Sequence, residues 1–311
     1  MTRVLITGAN GFVGKALCDH LAAKGYDLVR AVRQSGGDIS VGDLSDKTDW
    51  RQALEGVESV VHLAARVHVM DDRADDPLAL FRAVNRDVTQ NLAEQARDAG
   101  VKRLVYLSSV KAAGEANDAE ALKESDLATP QDPYGQSKLE AEQALHKIAE
   151  SSTMAVTVLR PPLVYGPGVK GNFLTLLKIC KKGLPLPLGG LKNRRSLVYL
   201  ENLVDAIRAA LEAETPDCAV YFVSDGPPVS TPELIRLLSK TLGTSPLLLP
   251  VPASLLTLLA KIVGKGAMAS RLTGSLEVDC RLIETELGWR PPFTTNQGLA
   301  ATAAWYRGEN R

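Results

Sequence analysis

Residues 3–14 read Arg-Val-Leu-Ile-Thr-Gly-Ala-Asn-Gly-Phe-Val-Gly, and this stretch decides the fold. Val4 to Thr7 is a short apolar run with β-branched residues, which predicts a buried strand. Phe12, Val13, Ala16, Leu17, Leu21 and Ala22 then recur at helical spacing, and Gly25 can end that helix. Between strand and helix sit Gly8, Gly11 and Gly14, spaced G-x-x-G-x-x-G, with Asn10 in the turn. Glycines permit a tight turn and let a pyrophosphate approach the backbone. The helix N-terminus adds N–H donors and the positive end of a dipole. A dinucleotide is the expected ligand, with Gly8, Asn10, Gly11, Phe12, Val13 and Gly14 against it.

The second apolar run, Tyr26 to Val32, bears on which dinucleotide. Such a strand usually ends in Asp or Glu, which accepts from the ribose 2′-OH of NAD. Here Val32 holds that place and Arg33 follows. A missing carboxylate beside a guanidinium suits a 2′-phosphate, so NADP is favoured over NAD; a solvated Arg33 is the alternative. Asp43 and Leu44, after Gly42, fit a turn that reaches the adenine.

Strands and helices go on alternating. Val57 to Leu63 is a strand, Leu78 to Ala99 a long helix containing Asn85, and Leu104 to Leu107 a strand ending in Ser108-Ser109. A helix from Tyr134 toward Ala149 and a strand from Ala155 to Leu159 follow. Repeated β–α units imply an α/β Rossmann fold, a doubly wound parallel sheet with helices on both faces. After Arg160-Pro161-Pro162 proline and glycine become frequent. The expected division is a dinucleotide-binding domain over 1–165, rejoined by 196–226, and a smaller substrate-binding region from 166–195 and 227–311.

Pro133-Tyr-Gly-Gln-Ser-Lys138 carries the chemistry. Tyr134 and Lys138 are four apart, so on a helix the phenol and the ammonium share one face. A nearby cation favours the phenolate and would draw the Tyr134 pKa down from about 10, as proton transfer requires. A surface Tyr and Lys on an ordinary helix is the alternative.

The chain has 311 residues, enough for one large or two small domains. Lys plus Arg and Asp plus Glu are 36 each, so nothing suggests nucleic acid as a partner. Cys18, Cys180, Cys218 and Cys280 lack metal-like spacing, and no metal site is expected. The chain starts at once with a strand and shows no signal peptide, so a cytoplasmic location is expected. Leu247 to Val263 is the most apolar window, broken by Pro250 and Pro252 and too short to span a membrane. Leu255, Leu256, Leu258, Leu259 and Ile262 predict a core-facing stripe, with a membrane-surface or partner-binding helix as the alternative.

In a doubly wound sheet, ligands sit outside the carboxyl ends of the strands. Gly8 to Gly14, Ser108-Ser109 and Pro161-Pro162 all follow strands and can converge there with Tyr134. Here the chain resembles the extended short-chain dehydrogenase/reductase family, most closely its sugar-nucleotide epimerase, dehydratase and reductase branch. The resemblance spans nearly the whole chain. It rests on the glycine turn, His62-Leu63-Ala64-Ala65, Asn85, Ser108-Ser109, Tyr134-x3-Lys138, Arg160 to Pro167, Arg195 ahead of Val198-Tyr199, and Leu287-Gly288-Trp289.

The resemblance implies roles. Tyr134 is the expected general acid/base, and Lys138 lowers its pKa and holds the nicotinamide ribose. Ser109 bonds the same substrate oxygen, with Ser108 as the neighbouring candidate; a strand-end turn residue is the alternative for Ser109. Leu63, Ala64, Ala65, Asn85 and Pro161 are further expected cofactor contacts; a structural amide is the alternative for Asn85. Arg195, Asn172 and Arg271, the last with a solvated charge as the alternative, are expected to meet a UDP-sugar. Arg66 and His68 follow the third strand and are candidates to line the pocket, with a structural role open for His68; Lys111 is a further substrate candidate. A homodimer is expected by resemblance alone.

A 4,6-dehydratase of this family carries an Asp-Glu pair after the catalytic hydroxyl residue, where this chain has Val110-Lys111. Dehydration is therefore disfavoured. The expected reaction is reduction of the C4 ketone of a UDP-4-keto-6-deoxy-N-acetylhexosamine in bacterial surface-polysaccharide synthesis. The alternative is a UDP-glucose or UDP-N-acetylglucosamine 4-epimerase with tightly bound NAD. A non-catalytic dinucleotide sensor is a third possibility; such proteins typically lose the Tyr or the Lys, and this chain keeps both.

Overall fold

A computed structural model describes residues 2–67, 76–115, 120–214, 218–262 and 272–309. The chain starts with β1 (Arg3–Thr7), α1 (Phe12–Ala23), β2 (Asp27–Val32), β3 (Ile39–Ser40) and β4 (Ser59–His62). Next come α2 (Pro77–Arg82), α3 (Val88–Asp98), β5 (Arg103–Leu107), α4 (Pro133–Glu150) and β6 (Ala155–Arg160). The later elements are β7 (Leu163–Tyr165), α5 (Gly171–Lys182), β8 (Leu197–Tyr199), α6 (Leu200–Glu212), β9 (Cys218–Phe222), α7 (Thr231–Leu242) and α8 (Ala253–Ile262). Helices Arg281–Leu287 and Thr295–Glu309 close the described chain.

Seven strands form one parallel sheet in the order β3-β2-β1-β4-β5-β6-β9. The order reverses between β1 and β4, the switch point at which doubly wound sheets bind ligands. Both faces are covered, so the strands are near-continuous apolar runs. Leu5, Val60, Leu104 and Val156 face one core cluster, and Val4, Ile6, Val61 and Val105 the other.

Three sequence expectations change. The helix expected over 78–99 is two α-helices joined by a π-turn, Ala83–Asp87, with Asn85 buried in it. Of the segment expected to rejoin the dinucleotide-binding domain, β9 joins the sheet and α6 packs against α1 and β5. β8 instead pairs in parallel with β7, Leu163 opposite Leu197 and Tyr165 opposite Tyr199. The apolar window is not a simple core stripe: Leu247, Leu249 and Leu255 are exposed. Pro250 and Pro252 confine the helix to Ala253–Ile262, behind an extended segment that pairs with residue 186. The side chains of Leu258, Leu259 and Ile262 lie outside the described residues.

Candidate active site

The glycine turn leaves no room for side chains. Gly8 has φ +70°, and a Cβ there would lie 3.0 Å from the Ala64 nitrogen. A Cβ on Gly14 would lie 2.2 Å from the Gly8 carbonyl oxygen, so α1 can start this close only with glycine. No side chain caps the N-terminus of α1, and its first turn holds no acid. Its N–H groups are thus directed at the turn with no capping side chain, which fits a pyrophosphate. Arg33 and Asp43 come together beyond β2, their charges 3.8 Å apart and both well exposed. Leu44 is partly buried against the core, where it can floor an adenine site.

Four segments meet at the carboxyl edge of the sheet: the turn after β1, Leu63–Ala65 after β4, Ser108-Ser109 after β5 and Pro161 after β6. Short bonds tie them. Ser108 N donates to the Leu159 carbonyl at 2.8 Å, and Val110 N to the Pro161 carbonyl at 3.0 Å. Asp132 caps α4 by accepting from Gly135 N at 2.7 Å, which sets Tyr134 in its first turn. Gly135 is needed for the approach, since a Cβ there would lie 2.4 Å from the Lys111 carbonyl oxygen.

The Ser109 hydroxyl acts on the Tyr134 phenol and favours its charged form. Phe81 packs edge-on against the Tyr134 ring, centroids 5.9 Å apart. Burial pushes the phenol up to about 12; the Ser109 hydroxyl opposes the rise and the charge of Asp132 adds to it. The expected depression of Tyr134 by Lys138 is therefore not found. The physical reason is where Lys138 points. Its buried ammonium donates to the Leu107 carbonyl at 2.8 Å and to the Tyr106 hydroxyl at 3.1 Å, from 4.5 Å over the Tyr106 ring. Burial pulls its own pKa down to about 7, against a smaller upward pull from Glu142. An ammonium has three donors, so one remains for a ligand such as a ribose hydroxyl.

Behind Lys138 runs a buried network that the sequence does not advertise. Thr7 Oγ1 accepts from Leu63 N and Ala64 N, both at 3.2 Å. Its own proton therefore goes to His62 Nδ1, 2.7 Å away. The ring proton of His62 then sits on Nε2, which donates to Thr89 Oγ1 at 3.0 Å. Thr89 donates in turn to the Asn85 carbonyl at 2.7 Å. Burial, with the charge of Lys138, holds His62 at about 3, so it stays neutral.

Asn85 braces the site. Its Oδ1 accepts from Arg66 N at 2.8 Å; its Nδ2 donates to the Arg66 carbonyl at 3.1 Å and to Ser137 Oγ at 3.0 Å. Both amide protons are thus used within the protein. Ser108 donates to Glu142, which holds Arg160 through Nη2 at 2.5 Å in a buried ion pair. Lys111 is paired with Asp132 and with Glu115 at 2.8 Å, so its charge is already met. The Arg66 guanidinium lies 5.5 Å from the Phe81 ring centroid. Asn172 is exposed in the first turn of α5. Arg195 is partly buried and donates to the Gly274 carbonyl at 3.1 Å. Arg271 and His68 lie outside the described residues.

This glycine turn on this sheet defines a dinucleotide-binding enzyme of the extended short-chain dehydrogenase/reductase type. The chain belongs to the NAD dependent epimerase/dehydratase family, whose model matches residues 4–222. It is 43% identical to a UDP-glucose 4-epimerase of Vibrio cholerae over 99% of this chain and 97% of that one. It is 29% identical to the N-acetyl-α-D-glucosaminyl-diphospho-ditrans,octacis-undecaprenol 4-epimerase of Escherichia coli O157:H7, over 96% and 93%. In fold it matches UDP-glucuronic acid 4-epimerase from Bacillus cereus, solved with NAD, with a TM-score of 0.79 and 22% identity, over 100% of this chain and 100% of that one. Among the described residues, no helix is long and apolar enough to cross a membrane.

Proposed function

We propose that the protein interconverts the C4 alcohol and C4 ketone of a UDP-hexose or UDP-hexosamine, with 4-epimerisation as the net reaction. The observation that carries this is the close approach of the first turn of α4, which holds Tyr134, to the segment after β5 that holds Ser109: a Cβ on Gly135 would lie 2.4 Å from the Lys111 carbonyl oxygen. The 43% identical 4-epimerase supports the net outcome. Bound dinucleotide supplies the hydride acceptor and donor. Gly8 to Gly14 and the α1 N-terminus hold its pyrophosphate, and the third donor of Lys138 holds its nicotinamide ribose. Tyr134 takes the C4 hydroxyl proton as hydride leaves C4, and returns it when hydride comes back to the other face. Ser109 holds the same oxygen. Val110-Lys111 leaves no acid pair for removing a C5 proton, and Lys111 is already paired with Asp132 and Glu115. Arg195 and Asn172 bind the nucleotide diphosphate from the smaller lobe, built from 166–195 and the chain after 227.

Single reduction of a 4-keto sugar nucleotide by NADPH is the second reading. It is supported by Val32-Arg33 at the end of β2, and by burial that keeps Tyr134 protonated, the state that donates to a ketone oxygen. Incubation with UDP-glucose and UDP-N-acetylglucosamine, with no cofactor added, separates the two. The 4-epimer should form. NADPH consumption confined to 4-keto substrates, with no epimer, would overturn epimerisation in favour of reduction.

A further inference from the structure

The most apolar window of the chain plays no part in this chemistry. Leu184, Leu247, Leu249 and Leu255 are 52, 61, 42 and 45% exposed. The first three come from two segments bound to one another. Leu186 N donates to the Leu247 carbonyl at 2.8 Å, Leu249 N to the Leu186 carbonyl at 2.9 Å, and Gly189 N to the Leu249 carbonyl at 2.9 Å. Along this ribbon the leucines alternate. Leu186, Leu188 and Leu248 pack on the core, while Leu184, Leu247 and Leu249 face solvent. Helix α8 follows directly and adds Leu255.

The two stretches of chain that form this ribbon are basic. Residues 151–200 and 234–276 contain none of the chain's 36 acidic residues, although together they make up almost a third of it. They carry thirteen Lys and Arg. Arg160 is paired with Glu142 in the interior, and Arg194 with Glu277 at the surface. Lys178, Lys181 and Lys182 are exposed in α5, which ends two residues before Leu184. The acid that precedes the second segment, Glu233, is engaged in the capping box of α7. A single exposed leucine is ordinary, but leucines grouped on one ribbon that follows lysines without an ion-pair partner among the described residues, Lys181 lying over the Tyr306 ring, are not.

We propose that this face docks on an anionic phospholipid membrane, lying on it rather than crossing it. The leucines enter the boundary between headgroups and acyl chains, and the lysines meet the lipid phosphates.

Vesicle sedimentation of the full chain tests this. Binding is expected to phosphatidylglycerol-containing vesicles, not to pure phosphatidylcholine, and it should weaken as salt rises. Replacing Leu184, Leu247 and Leu249 together with Ser should abolish it. Replacing Lys178, Lys181 and Lys182 together with Gln should weaken it on the order of 100-fold. Circular dichroism and thermal melting establish that both variants fold. Absence of binding at low salt, equal binding to both lipids, or binding unchanged in both folded variants would overturn the proposal. So would light scattering in which the leucine variant turns an oligomer into a monomer while the parent chain ignores vesicles; the face would then belong to a second copy.

Discussion

Lys138 donates to the hydroxyl of Tyr106 at 3.1 Å while lying 4.5 Å over its ring. One side chain thus offers the ammonium both a lone pair and a π-face. With the Leu107 carbonyl, it fixes two of the three donors and aims the third. Tyr106→Phe keeps the ring and removes the hydroxyl. It is expected to weaken NADH binding, read by tryptophan fluorescence, by about 5- to 20-fold, the loss of one charge-assisted hydrogen bond. Unchanged affinity would show that the hydroxyl does not aim Lys138.

Tyr134→Phe removes the proton carrier and leaves the glycine turn intact. Dinucleotide binding should persist, while turnover falls by about 10²–10⁴-fold. Turnover at the parental rate would refute the role assigned to Tyr134.

Lys138 also sets a pH dependence of stability. Its amine is held at about 7 when folded, against about 10.4 when unfolded. Between those values the unfolded chain binds the extra proton, so this group makes stability rise with pH across that window. Below about 7 both states are charged and the cost of burial is present in full. Lys138→Met should therefore raise the melting temperature most at pH 6, with the gain shrinking toward pH 10. A gain independent of pH would contradict this.

Glu142→Gln leaves Arg160 buried without its countercharge and weakens the acceptor of Ser108. A loss of about 3–5 kcal/mol in urea unfolding is expected. Replacing both partners, as Glu142→Gln with Arg160→Met, should recover much of it.

Gly14→Ala places a methyl 2.2 Å from the Gly8 carbonyl oxygen. Backbone cannot yield at that distance without opening the turn. Cofactor binding should fall by about 100-fold or more, as expected when a phosphate site is displaced by an ångström. Gly25→Ala is the control. That glycine has φ +83° with nothing nearby, so the change should affect stability and leave cofactor binding alone.

The parts that could be read in the sequence are local in origin. The β1 run, the glycine spacing and the four-residue interval from Tyr134 to Lys138 each specify geometry within a few residues. What escaped reading depends on distant partners. Asn85 is drawn into a π-turn by Arg66 and Ser137, 19 and 52 positions away. Lys138 turns from Tyr134 because Tyr106, 32 positions back, offers a better site. No periodicity reports that β8 prefers β7 to the large sheet. The exposure of Leu247 and Leu249 follows from a backbone pairing with Leu186 that composition cannot show.

The π-turn has a consequence for how this chain tolerates length changes. Such a turn amounts to one residue inserted into an otherwise regular helix. Each residue of an α-helix advances about 100° around the axis. Deleting one residue between Ala83 and Asp87 would restore ordinary winding and keep Phe81, Leu92 and Ala96 in their present directions, but would withdraw the Asn85 amide from Arg66 and Ser137. Single-residue indels, normally harmless in loops, should at this helix divide homologous chains into those that carry the bracing amide and those that have lost it.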